Sequence, residues 1–171
     1  MEKDARMGEP REISLARLVR EHQSALTRLC YLSLRDEELA RDAVQETFLK
    51  AFEALDRFRG ESAEKTWLYS IALNVCRDAR RTNWFRFVDR RITPDMLGHI
   101  ADPSDSGVEL SIAISRLPGQ LREAVLLYYY QGMTLEETAE VLHTAKSTAS
   151  QWLKQARERL YITLEGGDDR D

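Results

Sequence analysis

Cysteine is nearly missing from this chain, and that scarcity already excludes several classes of protein. Cys30 and Cys76 are its only two cysteines, and neither belongs to a C-x-x-C pair. A disulfide scaffold or a cysteine-built zinc site is therefore not expected. Each cysteine falls on an apolar helical stripe, the usual place of a buried thiol in a reducing compartment. Histidine is almost as rare: His22, His99 and His143 lie in unrelated segments, so no metal site is expected. No phosphate-binding glycine loop and no nucleophile–base pair occurs in the sequence, so neither a cofactor nor a catalytic residue is expected. Long apolar runs are missing too, since none approaches the ~20 residues of a membrane span. The first residues, MEKDARMGEPRE, are polar and mixed in charge, unlike a signal peptide. The expectation is a cytoplasmic protein with no direct membrane insertion.

Only four prolines and eight glycines interrupt 171 residues, of which 43% are hydrophobic and 32% charged. That composition suits helix-rich structure, as one large domain or two small ones. The net charge of −4 argues superficially against nucleic acid, but the charge is unevenly spread. Residues 74–91 carry six Arg against two Asp, and residues 146–160 carry two Lys and two Arg against one Glu. Between these segments, residues 92–145 carry eight acids and two bases. Two basic patches separated by an acidic stretch make a local footprint that matters more than the total.

Periodicity places a first helix over residues 12–34, with Leu15, Leu18, Val19, His22, Ala25, Leu26, Leu29 and Cys30 on one stripe. Asp36 is suited to cap a second helix that runs to about Leu55. That helix turns Leu39, Ala40, Ala43, Val44, Thr47, Phe48, Ala51 and Leu55 inward, and leaves Asp42, Gln45, Glu46 and Lys50 on a polar side. After a loop broken by Gly60, the stretch from Phe58 to Arg81 leads into a third helix. Its stripe is read as Trp67, Leu68, Ile71, Ala72, Val75 and Ala79. Tyr69, Ser70, Asn74, Arg77 and Arg81 are left outside. Those are groups that stack on bases, read base edges and neutralise phosphates, although an amphipathic helix with a solvated basic end fits the pattern equally well. An aromatic–basic cluster, Trp84 to Arg91, is expected to fold its aromatics back on the core.

Residues 92–107 lose periodicity and read as an acidic linker between a domain at 1–91 and another at 108–171. In the second domain Pro118 suits the first turn of a helix that buries Leu121, Ala124, Val125, Leu127 and Tyr128, and Gln131-Gly132 stops it. Thr134-Leu135-Glu136-Glu137 fits a capping box. It opens a short helix with Leu135, Thr138, Ala139 and Leu142 inward. His143-Thr144-Ala145 forms a turn. A last helix runs from Lys146 or Ser147 to about Leu164, its stripe being Ala149, Leu153, Ala156 and Leu160. Two helices joined by a three-residue turn describe a helix-turn-helix, with Lys146, Ser147, Thr148, Ser150, Gln151 and Lys154 placed to enter a major groove. A generic helical hairpin is the plain alternative.

Taken together, these segments resemble the extracytoplasmic-function sigma factors, the small two-domain members of the bacterial housekeeping-type class. The likeness rests on D-A-V-Q-E-T-F at Asp42–Phe48, F-R-G-E-S and T-W-L-Y-S-I-A-L-N within Phe58–Asn74, and L-P-x-x-x-R-x-A-V at Leu117–Val125. G-M-T-L-E-E-T-A-E-V-L at Gly132–Leu142 and A-R-E-R-L at Ala156–Leu160 complete it. The resemblance covers roughly residues 12–162. It implies an all-α fold of two small helical domains joined by an acidic linker, the second containing a helix-turn-helix. It also implies a promoter-specificity subunit that binds core RNA polymerase, recognises −10 and −35 elements and promotes strand opening.

By the same resemblance Asp42, Gln45 and Glu46 would dock on the clamp helices of the largest polymerase subunit, with the flap as a further polymerase contact. Phe58, Arg59, Ser62 and Asn74 would capture a −10 base, with Trp67 expected in the core instead. Arg77, Arg80 and Arg81 would hold phosphates. Lys146, Ser147, Thr148, Ser150, Gln151 and Lys154 would meet the −35 element. A cognate anti-sigma factor covering both domains is a further implied partner. Relatives usually carry Gly at the position of His143, and basic residues at those of Ser150, Trp152 and Gln155, so −35 reading is expected to be weaker or differently specified. A stand-alone helix-turn-helix regulator and a sigma-like decoy are the rival readings.

Overall fold

The computed structural model describes residues 8–83 and 105–166. All regular structure among them is helical. The chain divides into two compact units, Met1–Thr82 and Asn83–Asp171. The Trp84–Arg91 cluster and most of the expected linker at 92–107 lie outside the described residues.

The first unit is built from three helices, α1 (Arg11–Leu34), α2 (Glu37–Ala54) and α3 (Glu64–Thr82), with a 3-10 turn at Leu55–Arg57 after α2. A left-handed residue, Arg35 (φ 56°), ends α1, and its N–H donates to the Tyr31 carbonyl at 2.7 Å. Asp36 then caps α2 by accepting from the Leu39 N–H at 3.0 Å. A two-residue connection thus reverses the chain and keeps both helix ends hydrogen-bonded. Leu39, Ala40, Ala43, Val44, Thr47, Phe48 and Ala51 are all buried, as the 3.6-residue period demands. Arg17 reaches across from α1 and donates to both oxygens of Glu64, at 2.6 and 2.9 Å, which ties α1 to the first turn of α3.

The inward face of α3 differs from the expected stripe. Leu68, Tyr69, Ala72, Leu73, Val75 and Cys76 are buried, whereas Trp67, Ile71 and Ala79 are half-buried. Tyr69, expected outside, has no exposed surface at all. Its ring meets His22 of α1 edge-on at 6.3 Å, and burial pushes its hydroxyl pKa up to about 12. The same core holds both cysteines, Cys30 of α1 and Cys76 of α3, as fully buried free thiols.

The second unit comprises α4 (Asp105–Ser115), α5 (Gly119–Val125), α6 (Leu135–Val141) and α7 (Lys146–Glu165). Pro118 stands at the N-cap of α5, one position before the helix. A π-helical turn, Leu126–Tyr130, continues α5, and the Gln131 N–H donates to the Leu126 carbonyl five residues back. This widening shifts the register of everything after it. Tyr128, expected inside, is exposed, while Leu126 joins Leu121, Ala124, Val125 and Leu127 in the core. Arg122 is buried, and its Nη1 donates to the carbonyls of Ser115 and Leu117, closing the α4–α5 corner.

Candidate nucleic-acid and partner interfaces

Three surfaces carry the residues that chemistry singles out. On α2, Asp42, Gln45 and Glu46 are all exposed, one turn apart or less. Leu49 stands at i+3 from Glu46 and i+4 from Gln45, on the same face, and it is 63% exposed. An isolated exposed leucine is ordinary. One flanked by an amide and a glutamate, with an aspartate one turn beyond them, has the make-up of an interface centre with a polar rim. Sequence periodicity did not single out Leu49.

On α3 the outer face runs through half-buried Trp67, Ser70, Ile71 and Arg77 and exposed Asn74, Asp78 and Arg81, following i, i+3, i+4 and i+7 steps. The Phe58 ring from the preceding loop stacks on Trp67, with centroids 4.7 Å apart and planes at 30°. Trp67 therefore belongs to this face as much as to the core, a correction to the expected stripe. The buried side of α3 carries Tyr69 instead. Arg77 donates to the Asn74 side-chain carbonyl oxygen at 3.3 Å. Arg81 pairs with Asp78 at the surface. Phe58 and Ser62 are half-buried and Arg59 is exposed. Arg80 differs from its two arginine neighbours. It lies on the buried side of the helix and donates to the Ser33 carbonyl at the end of α1, so it ties two helices together.

The third surface is the helix-turn-helix formed by α6 and α7. The capping box is present: the Glu137 N–H donates to the Thr134 hydroxyl at 3.1 Å, and the Thr134 N–H to the Glu137 carboxylate at 2.8 Å. After α6 the turn holds His143 at φ 52°. The Thr144 N–H bonds back to the Ala139 carbonyl and the His143 N–H to that of Glu140, a complete Schellman closure. His143 thus adopts the left-handed conformation that glycine would occupy without strain.

Ala149, Leu153 and Ala156 of α7 are buried, and Ser147, Ser150, Gln151 and Lys154 share one exposed face at i, i+3, i+4 and i+7. Thr148 and Trp152 are half-buried at its edge. Lys146 is bound to Glu136 of α6, and that ammonium holds the Glu136 carboxyl below its usual range. Arg157 donates to the Tyr129 hydroxyl at 3.1 Å.

Glu21, His22 and Glu64 bring possible metal-ligand atoms within 4.8 Å of one another. Both Glu64 oxygens already accept from Arg17, and burial lowers the His22 pKa. The geometry is that of an ion pair joining two helices. Among the described residues, no helix is long and apolar enough to cross a membrane.

Comparison with known proteins agrees with this layout. The model of Sigma-70 region 2 matches residues 18–86 and that of Sigma-70 region 4 matches residues 108–160. The chain is 30% identical over 163 residues to the RNA polymerase sigma-H factor of Pseudomonas aeruginosa, covering 86% of this chain and 84% of that one. It is 32% identical over 147 residues to the ECF RNA polymerase sigma factor SigM of Mycobacterium tuberculosis, covering 84% and 73%. Among solved structures it is similar to CnrH in complex with the cytosolic domain of CnrY, with a TM-score of 0.73, 27% identity, and coverage of 93% and 91%. The fold also matches RpoE in complex with the anti-sigma factor NepR from Bartonella quintana, with a TM-score of 0.74, 23% identity, and coverage of 89% and 97%. By sequence, by fold and by the order of its two regions, the chain belongs to the ECF family of RNA polymerase sigma factors.

Proposed function

We propose that α3 and the loop before it read single-stranded promoter DNA, while the face around Leu49 on α2 anchors the chain to polymerase. As a sigma factor the chain binds core RNA polymerase, recognises −10 and −35 elements and promotes strand opening. Its residues divide that work. Asp42, Gln45 and Glu46 form the polar rim of a clamp-helix contact, and Leu49 is its apolar centre. Opening DNA requires a base to leave the stack, at a cost of about a few kcal/mol, which a preformed aromatic and hydrogen-bonding surface offsets. Phe58 and Trp67 provide the stacking platform, with Arg59 and Ser62 in the adjoining loop. Asn74 donates to the base edge, and Arg77 and Arg81 hold phosphates, which position the strand without reading its sequence.

In the second unit Ser147, Thr148, Ser150 and Gln151 face the −35 duplex, with Lys146 and Lys154 as its cations. The chain does no covalent chemistry and works in the cytoplasm. An anti-sigma factor is its regulatory partner, covering both domains, as the similarity to CnrH in complex with CnrY supports. One observation carries this reading: the Phe58–Trp67 stack, the Asn74 amide and guanidinium groups line the outer side of α3, whose reverse side is buried. Run-off transcription with purified core polymerase tests it. Asn74→Ala should reduce initiation at a cognate promoter and be rescued by a pre-melted −10 bubble. Specific duplex binding by the chain alone, with no response from core enzyme, would overturn the reading.

A further inference from the structure

Two arginines of α1 reach across the first unit to the two ends of the loop that carries Phe58. Arg17 holds the far end, donating to both oxygens of Glu64 in the first turn of α3. Arg11, the first residue of α1, holds the near end through three contacts. Its Nη2 donates to the Phe52 carbonyl at 2.5 Å, and its Nη1 lies 3.3 Å from a carboxylate oxygen of Asp56. Its guanidinium carbon stands 4.5 Å from the centroid of the Phe52 ring. Phe58 follows directly, its N–H donating to the carbonyls of Ala54 and Leu55. We infer that Arg11 is a positioning residue for −10 reading, fixing the end of α2 so that the Phe58 ring is held on Trp67.

The chemistry of the contact suits arginine in particular. The last carbonyls of a helix lack intrahelical donors and form the negative end of its dipole, so a cation is favoured there. The Phe52 carbonyl accepts from the Leu55 N–H that caps α2, and Arg11 supplies a donor to its second lone pair. A planar guanidinium can bind that carbonyl, pair with Asp56 and lie over the Phe52 ring at once, which a lysine ammonium cannot. The Arg11 Nε is buried with no acceptor among the described residues, so the group is partly withdrawn from water to reach this place.

The loop itself shows why such a brace matters. Residues 58–63 form no regular helix, and Gly60 turns the chain at φ 71°. A side chain on such a loop is placed by what holds the loop, since loops position groups less precisely than helices do. The Phe58–Trp67 stack can receive a base without further ordering only if the ring is in place beforehand; ordering the loop on binding would subtract from affinity. Arg11 precedes residues 18–86, the stretch matched by the Sigma-70 region 2 model, so the brace comes from outside that match. The inference rests on the proposed role of Phe58 and Trp67 at the −10 strand.

The test compares run-off transcription by reconstituted holoenzyme on a duplex promoter and on the same promoter with a pre-melted −10 bubble, well below each variant's unfolding temperature. Arg11→Ala should reduce initiation on the duplex by about ten-fold, the size of one lost charge-assisted hydrogen bond, and the bubble should restore it. Arg11→Lys keeps a charge beside Asp56 without the fork and should fall between Arg11→Ala and the unaltered chain. Phe58→Ala should lose at least as much as Arg11→Ala. The double variant should be no worse than Phe58→Ala alone, because the brace acts through that ring. Losses that multiply in the double variant, or a loss equal on duplex and bubble, would make Arg11 a general support of the fold and overturn the inference. So would a fully active Arg11→Ala holoenzyme beside an impaired Phe58→Ala one. Full activity of Phe58→Ala would instead overturn the −10 reading itself, and the inference with it. Should Arg11→Ala fail to fold, Arg11→Gln, which keeps a donor for the Phe52 carbonyl but no charge, carries the same comparisons.

Discussion

Neighbouring arginines on α3 have different tasks, because a helix turns adjacent residues to different environments. Arg81 is exposed beside Asp78, whereas Arg80 donates to the Ser33 carbonyl from the buried side. Arg81→Ala should leave thermal stability unchanged and make the salt slope of holoenzyme–promoter binding shallower by about 1, the effect of one lost phosphate contact. Arg80→Ala should instead destabilise the first unit by about 1.5–3 kcal/mol, the range for a hydrogen bond to a charged group, as read from urea unfolding. His22 adds a pH dependence to the same unit. Burial lowers its pKa below the ordinary 6.5, so the fold favours neutral imidazole. The unfolded chain takes up a proton near pH 6.5 while the folded chain waits for lower pH. The stability contributed by His22 is therefore complete above about pH 6.5 and is lost as the pH falls through the lower folded-state value. Urea midpoints should fall between about pH 7.5 and about pH 5.5, and His22→Gln should show the smaller fall.

At the scale of the element, how legible a helix was depended on how wide its apolar face is. On α2 every residue assigned inward from Leu39 to Ala51 is buried, because its stripe is sharply bounded by charge. On α3 the boundary falls between two aromatics two positions apart, Trp67 and Tyr69, and periodicity alone does not say from which side α1 will pack. Packing resolves it: Tyr69 meets His22 inside and Trp67 meets Phe58 outside. The π turn at Leu126–Tyr130 was illegible for a related reason, since its i→i−5 bond arises from the surrounding fold and carries no local signature. The capping box was fully readable, because all its partners lie within four consecutive residues. After α6 the left-handed His143 closes the turn at a cost that glycine avoids, roughly 1 kcal/mol. His143→Gly should raise the stability of the second unit by about that amount in thermal melts, with helix content unchanged. On α2, Leu49→Asp should weaken core-polymerase binding by about ten-fold or more, since burying one leucine is worth about 1.5–3 kcal/mol. Fluorescence competition for core enzyme would measure it, with circular dichroism unchanged because the side chain is exposed.

For the molecule as a whole, the two proposed reading surfaces are unequally equipped. The α3 face combines an aromatic stack, an amide and the exposed Arg81. The α7 face offers Ser147, Ser150 and Gln151 with Lys154 as its central cation, while Lys146 is held by Glu136 and Arg157 meets the Tyr129 hydroxyl. Phosphate contacts supply most of the sequence-independent affinity for duplex DNA, so a face with few unengaged cations holds the duplex weakly and depends on hydroxyl and amide groups for discrimination. With α2 as the proposed polymerase contact, promoter choice falls mainly on the melted strand. Substitutions in the −10 element should therefore reduce run-off transcription more than substitutions in the −35 element. The imbalance should be adjustable from the protein side. Ser150 and Gln155 are both exposed on α7, so Ser150→Arg or Gln155→Arg adds a cation without disturbing the core. Each should steepen the salt slope of −35 duplex binding by about 1 and raise the penalty for a mutated −35 element. A slope that stays the same in both variants would mean that this face does not lie against the duplex, and the −35 contact would have to be sought elsewhere on the second unit.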